Sequence, residues 1–175
     1  MTSGALLAPG ASASRDHPQL VAIDEALAAD GVVVKRIDLP SSRPGPRVLQ
    51  AIADAAASLE VDRLILGGRS FGGRMCAAAV AGGLPAAGLV LVSYPLHPPG
   101  RPAQKRVEHF PQLDLPCLFV SGTRDAFAAP DELEEATAAI PGAVTHVWID
   151  GGDHGLRGRD EPVAHSVSAW ARAAL

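Results

Sequence analysis

The sequence predicts an α/β domain in which a mostly parallel sheet of about six strands is covered by helices on both faces. Three observations carry that expectation. Short apolar runs alternate with segments of helical periodicity from one end of the chain to the other. The runs are rich in Val, Ile and Leu and show little polar alternation, as in strands buried on both sides. Hydrophobic residues make up 47% of 175, enough for one well-buried core and few for two, so residues 1–175 are read as one domain.

The elements follow in order. The first strand is expected over 4–8 (GALLA). Leu20, Ile23 and Leu27 then recur at i, i+3, i+7 as the inner face of a helix closed by Gly31. A strand over 31–37 leads into the breaker-rich stretch Pro40 to Pro46, and Val48, Ile52 and Leu59 mark a second amphipathic helix. The third strand, 62–67, runs into a glycine-rich turn, from which a helix starts around Gly72. After a strand at 88–93 comes YPLHPPGRPAQKRVEHFPQLDLP, residues 94–116, proline-rich and without clear period; loops of this length are usually functional or disordered. A strand over 116–121 precedes a helix carrying Leu133, Ala136 and Ile140, with Asp131, Glu132, Glu134 and Glu135 where they favour the helix dipole and Asp131 as its natural cap. The last pair is a strand over 144–150 and a helix with Pro162 near its first position and Val163, Val167 and Trp170 on one face. Each crossover should be right-handed.

Charge and cysteine content narrow the function. Fifteen Lys and Arg stand against 19 Asp and Glu for a net charge of −4, with no block of one sign, so nucleic acid is not an expected partner. Cys76 and Cys117 both lie in apolar stretches and no Cys/His spacing resembles a zinc site, which points to a reducing compartment and a cytoplasmic protein. The opening MTSGALLAPGASAS imitates a signal peptide only at Ala11-Ser12-Ala13; it lacks a basic start, and its apolar run from Ala5 to Ala8 is well under the roughly 7 residues an h-region needs. No apolar run approaches the ~18 residues of a membrane span. The strand over 144–150, if it lies at a sheet edge, could pair across a homodimer; a monomer is equally expected.

The chemistry is concentrated in LILGGRSFGGRM, residues 64–75. Gly68-Arg69-Ser70-Phe71-Gly72 matches G-x-S-x-G, with a predicted strand before it and a plausible helix after it, the context in which a nucleophilic serine sits on a strained turn. Gly68 and Gly72 would clear space around Ser70, and Gly73 would let the helix pack closely. The alternative is a glycine-rich turn whose serine merely caps a helix. A serine needs a base and an orienting acid, expected in the order Ser, Asp or Glu, His, beyond the carboxyl ends of strands. His154, in GGDHG after the strand over 144–150, meets the criterion; His97 follows 88–93 and is the rival, better suited to lining the pocket with Tyr94. His146 is mid-strand, His165 helical, and His17 and His109 lack a strand-end position. Asp125 follows 116–121 through Gly122-Thr123-Arg124 and is the preferred acid, with Asp153 second. A metal site at Asp150, Asp153 and His154 lacks a further ligand, so no metal and no cofactor are expected. The oxyanion hole would take the N–H of Phe71 and, since Pro9 has none, that of Ala11.

These residues resemble the dienelactone-hydrolase-like group of small α/β-hydrolases, and most closely the testis-expressed/KANSL-type α/β-hydrolase-like family. The resemblance runs through GGRSFGGRM, SYPLHPPGRP, LPCLFVSGTRD and GGDHGL. It implies a catalytic triad of Ser70, Asp125 and His154, and a compact α/β-hydrolase fold with strand order 2-1-3-4-5-6, lacking the first two strands of larger hydrolases. Dienelactone hydrolases proper carry cysteine where this chain has Ser70, and the family shows His-Gly-Ala-Gly where this chain has Pro9-Gly10-Ala11-Ser12. With no inserted cap domain, only the 94–116 segment could cover Ser70, which favours a small acyl substrate, an ester, thioester or amide. Arg69 could meet an acidic group of that substrate or be tied up inside the protein. The competing expectation is a catalytically inactive scaffold that binds a ligand or a protein.

Overall fold

The structure, a computed structural model, describes residues 1–175. Six strands, β1 (Ser3–Ala8), β2 (Val33–Arg36), β3 (Arg63–Arg69), β4 (Gly88–Val92), β5 (Cys117–Gly122) and β6 (Val144–Ile149), form one wholly parallel sheet in the order β2-β1-β3-β4-β5-β6. The apolar runs behave as read: every residue of β4 and β5 is buried, because helices cover both faces.

Side chains alternate between two cores at the period of two that a strand imposes. Val90 and Val92 of β4 face α1 (Pro18–Ala29) and α5 (Asp160–Ala174), which pack on one another through Leu20, Ile23, Val163 and Val167. Leu89 and Leu91 face the other layer, α2 (Pro46–Ala57), α3 (Phe71–Ala81) and α4 (Pro130–Thr137), with Ile52, Met75 and Leu133 at its centre. The chain steps outward from β1 to β2 and then back across to β3, so strand order reverses beside β1 and β3. Ligands of open parallel sheets bind at such a reversal, outside the carboxyl ends of the strands.

Element boundaries moved where local chemistry was stronger than periodicity. β2 holds four residues instead of seven: it is an edge strand, and Arg36 turns to solvent-side partners Asp24 (2.8 Å) and Asp16 (3.0 Å). α4 stops at Thr137, whose hydroxyl donates back to the Leu133 carbonyl at 2.9 Å, leaving Ile140 buried beyond the helix end. Asp131 does not cap this helix. Its N-cap is Ala129, and the Glu132 carboxylate accepts the Ala129 N–H at 3.1 Å. α5 begins at Asp160, placing Pro162 at the third position, still among the first four N–H groups that lack an intrahelical partner.

The 94–116 segment contains only a single 3₁₀ turn (Phe110–Gln112) and is pinned from within. Tyr94, Leu96, Phe110 and Leu113 are buried, and the rings of Tyr94 and Phe110 lie 5.4 Å apart, with Phe119 of β5 5.7 Å from Tyr94. The Tyr94 hydroxyl donates to the Arg106 carbonyl at 2.7 Å, and the Arg106 N–H donates to the Leu96 carbonyl at 2.7 Å. Its packed ends form a wall on the sheet's carboxyl edge, and residues 99–105 between them are exposed.

Candidate active site

β3 ends in a turn that a non-glycine residue rarely makes. Ser70 has φ 49° and ψ −119°, held by its own N–H on the Val92 carbonyl at 2.8 Å, and the chain enters α3 at the next residue. The glycines around it serve a neighbour more than the serine. A Cβ on Gly68 would lie 2.0 Å from the Ala8 carbonyl oxygen, and one on Gly72 would lie 2.4 Å from the carbonyl oxygens of both Ala8 and Pro9. They let the end of β1 press against the elbow, which brings the Pro9–Ser12 loop alongside Ser70. Gly72→Ala should therefore lower unfolding stability by about 1–3 kcal/mol, as overpacking against fixed backbone does; a urea midpoint equal to wild type would refute this.

Three loops at the carboxyl edge converge on that turn. Ser70 Oγ lies 2.9 Å from His154 Nε2, and His154 Nδ1 lies 2.8 Å from Asp125 Oδ2 and 3.0 Å from Oδ1. The Asp125 side chain is fully enclosed and that of His154 is one-fifth exposed. Asp125 Oδ1 also accepts the Phe127 N–H at 2.8 Å, and the Phe127 ring stacks on the imidazole with centroids 3.9 Å apart. A carboxylate on Nδ1 fixes the tautomer that leaves Nε2 free to accept from the serine. Asp153, the second choice for the acid, instead accepts the Leu156 N–H at 3.0 Å and turns the loop.

The Pro9–Ser12 loop is closed by Ala13 N–H on the Gly10 carbonyl and by Ser12 N–H on Ser42 Oγ at 2.9 Å. The Ala11 N–H meets no acceptor of the chain. Phe71 is the first residue of α3, so its N–H has no intrahelical partner either. Both residues line a cleft of about 400 Å³ with Ser70, His154 and Phe127.

Two expected pocket residues are elsewhere. Tyr94 is 1% exposed, with its hydroxyl shared between Arg106 and His109, and His97 is 4% exposed, bonded to the Pro98 carbonyl at 2.8 Å and to Glu132 at 3.0 Å. The Pro98 carbonyl, and after it Glu132, raise the His97 pKa, and these two contacts tie the histidine to the segment and to α4 rather than to the cleft. Ser93, directly after β4, has a φ of 49°, and beyond it Tyr94 packs on Phe110 and Phe119 in the core while His97 meets Glu132 of α4. Pro95 and Arg106 occupy the cleft in their stead. The cysteines are no rivals to Ser70: burial pushes the thiols of Cys76 and Cys117 up to about 12. No group of three or more His, Cys, Asp or Glu side chains is arranged to hold a metal.

Arg69 does reach the site, but from inside the protein. Its Nε donates to Gln19 Oε1 at 3.0 Å and its Nη2 to the His154 carbonyl at 2.8 Å, while Gln19 Nε2 donates to the carbonyls of Gly155 (3.0 Å) and Leu156 (3.1 Å). Burial lowers the Arg69 pKa, and Gln19 is 1% exposed. Together they clamp the His154 loop onto α1. Gln19 was legible only as a polar residue four before Ile23 on an apolar face. Gln19→Leu keeps the volume and removes the Gln19 half of the clamp, so it should reduce kcat by about 10- to 100-fold, the scale of a small misplacement of a catalytic group; an unchanged kcat on an ester substrate would show that the loop is held without Gln19.

A parallel sheet in this order, with a serine elbow at the end of its third strand, is the α/β-hydrolase fold. The family model of the alpha/beta hydrolase domain matches residues 2–174, and the chain belongs to that family. Among solved structures it is similar to Est1E from Butyrivibrio proteoclasticus (TM-score 0.82, 17% identity, 99% of this chain and 88% of that one). It is also similar to the esterase domain of a Rhodothermus marinus protein (TM-score 0.76, 21% identity, 98% and 87%) and to a thermophilic esterase from Thermogutta terrifontis (TM-score 0.73, 21% identity, 99% and 91%). At these identities the likeness is one of fold. No helix is long and apolar enough to cross a membrane.

Proposed function

We propose that the protein is a serine hydrolase that cleaves a small ester, thioester or amide by acyl transfer through Ser70, His154 and Asp125. The observation that carries this reading is the unbroken chain from Ser70 Oγ through the imidazole to the enclosed carboxylate, at 2.9 and 2.8 Å. Ser70 Oγ attacks the substrate carbonyl carbon as His154 Nε2 takes its proton, and the carbonyl π electrons move onto oxygen. The Phe71 and Ala11 N–H groups hold that oxyanion. The intermediate collapses, the bond to the leaving group breaks, and His154 returns the proton to it, leaving an acyl-serine. Water then attacks the acyl carbon with its proton passing to His154, and the second collapse frees the acid and restores the serine hydroxyl. Asp125 keeps its charge throughout and stabilises the imidazolium.

The small cleft and the wall beside it favour short acyl groups. The resemblance to the dienelactone-hydrolase-like group extends to the elbow but not to its cysteine nucleophile, so that group's substrate is not carried over. Unpaired, buried thiols at Cys76 and Cys117 fit a reducing compartment such as the cytoplasm. The unclaimed N–H groups of Phe71 and Ala11 weigh against a catalytically inactive scaffold. A fluorophosphonate probe should label wild-type protein at Ser70 alone, abolishing p-nitrophenyl butyrate hydrolysis in proportion; labelling elsewhere, or none, overturns the reading.

A further inference from the structure

Three guanidinium groups line the cleft beside Ser70, and a single carboxylate serves them. Arg69 is engaged in the clamp on the His154 loop. Arg74, in the first turn of α3, reaches only Glu108, at 3.7 Å, and that acid is 69% exposed while the arginine side chain is 15% exposed. Its Nε is buried without any partner. Arg106, on the 94–116 wall, donates Nη1 to the Pro95 carbonyl at 3.3 Å and has no carboxylate within ion-pair distance.

An ion pair 3.7 Å long whose acid is 69% exposed contributes little to stability, so it does not account for the arrangement, and it leaves Arg106 unexplained. Burial lowers the Arg106 pKa, and the neighbouring Arg74 lowers it further. Two partly desolvated cations held close to one another repel in the empty cleft and gain when an anion enters between them. The geometry is also prepared in advance: the Arg106 backbone is tied by its N–H to Leu96 and by its carbonyl to the Tyr94 hydroxyl, and Arg74 sits on a helix whose first turn carries the elbow.

We propose that Arg74 and Arg106 form a subsite for an anionic group of the substrate, so that the preferred ester carries a carboxylate or phosphate that reaches the cleft beside Ser70. Planar guanidinium forks match such oxygens two at a time. The proposal rests on the serine-hydrolase reading and names the substrate class that reading leaves open. It also gives the buried Tyr94 a use: it braces the wall that presents Arg106.

The test compares mono-p-nitrophenyl adipate with p-nitrophenyl hexanoate, which share acyl length and leaving group and differ in one terminal carboxylate. After correction for their uncatalysed hydrolysis, kcat/KM should favour the adipate ester by about 10-fold or more, as expected of one charge-assisted contact. Arg106→Gln and Arg74→Gln should each bring that ratio most of the way to one, chiefly through KM. Free adipate and inorganic phosphate, tested as competitive inhibitors at constant ionic strength, tell which anion the subsite takes. A ratio of one or below with no inhibition by either anion, or a ratio that both variants leave intact, overturns the subsite while Ser70-dependent hexanoate hydrolysis leaves the hydrolase standing. Absence of Ser70-dependent turnover of both esters removes the hydrolase reading and the subsite with it.

Discussion

Ser70→Ala should lower kcat on p-nitrophenyl butyrate by about 10⁴- to 10⁶-fold, the scale of nucleophile removal in serine hydrolases, with a thermal midpoint close to wild type. The two halves of this expectation separate the two roles a serine in this sequence context could have. A capping serine would accept a backbone N–H of the first turn of α3 on its hydroxyl oxygen, and its removal would cost about 1 kcal/mol of stability and little activity. Ser70 stands at the N-cap position, but its side chain makes no capping hydrogen bond. The hydroxyl is turned to His154 Nε2 instead, and the N–H of Phe71, the first residue of the helix, has no intrahelical partner. Alanine keeps the Cβ and so tolerates the φ of 49° no worse than serine does. A stability loss with kcat within tenfold of wild type would return Ser70 to a structural role.

How much of this was legible in the sequence depended on how local the determining contacts are. The elbow could be read because strand, glycines and helix are contiguous. Asp125 and His154 could be read because parallel strands all deliver their following loops to one edge, so a polar residue just past an apolar run is already placed. Tyr94 and His97 satisfied the same rule and fell outside the cleft, because Tyr94 packs on Phe110 and Phe119 and His97 bonds to Glu132, partners 16 to 35 positions away that no local spacing marks. Gln19 and Arg106 escaped for another reason. Gln19 meets the base loop 136 positions further on, and Arg106 comes to the site only because Phe110 and Leu113 anchor its segment in the core. Such partners are set by tertiary packing and leave no spacing to find.

Asp125 offers a sharper test of the proposed triad than Ser70, since in that reading it acts without touching substrate. In Asp125 the two carboxylate oxygens are differently engaged: Oδ1 accepts the Phe127 N–H at 2.8 Å and lies 3.0 Å from His154 Nδ1, while Oδ2 is the nearer oxygen to Nδ1, at 2.8 Å. Asparagine has one oxygen to offer. If it keeps the backbone N–H of Phe127 satisfied, its NH₂ is turned toward Nδ1, and the imidazole must present Nδ1 as an acceptor and carry its proton on Nε2. That tautomer cannot take the serine proton. If the amide is reversed, the NH₂ opposes the Phe127 N–H inside an enclosed pocket, which leaves a buried donor without a partner. The first arrangement is less costly to the fold, so Asp125→Asn should unfold at nearly the wild-type midpoint, bind ester with KM within a few-fold, and lose about 10⁴-fold in kcat near neutral pH, as tautomer reversal does in other serine triads. Asp153→Asn is the matched control. Asp153 is exposed and accepts the Leu156 N–H, a bond that asparagine can also accept, and its kcat should stay within tenfold. A larger loss at Asp153 than at Asp125 would move the orienting acid to the neighbouring residue, and the enclosed carboxylate beneath His154 would then be part of the fold alone.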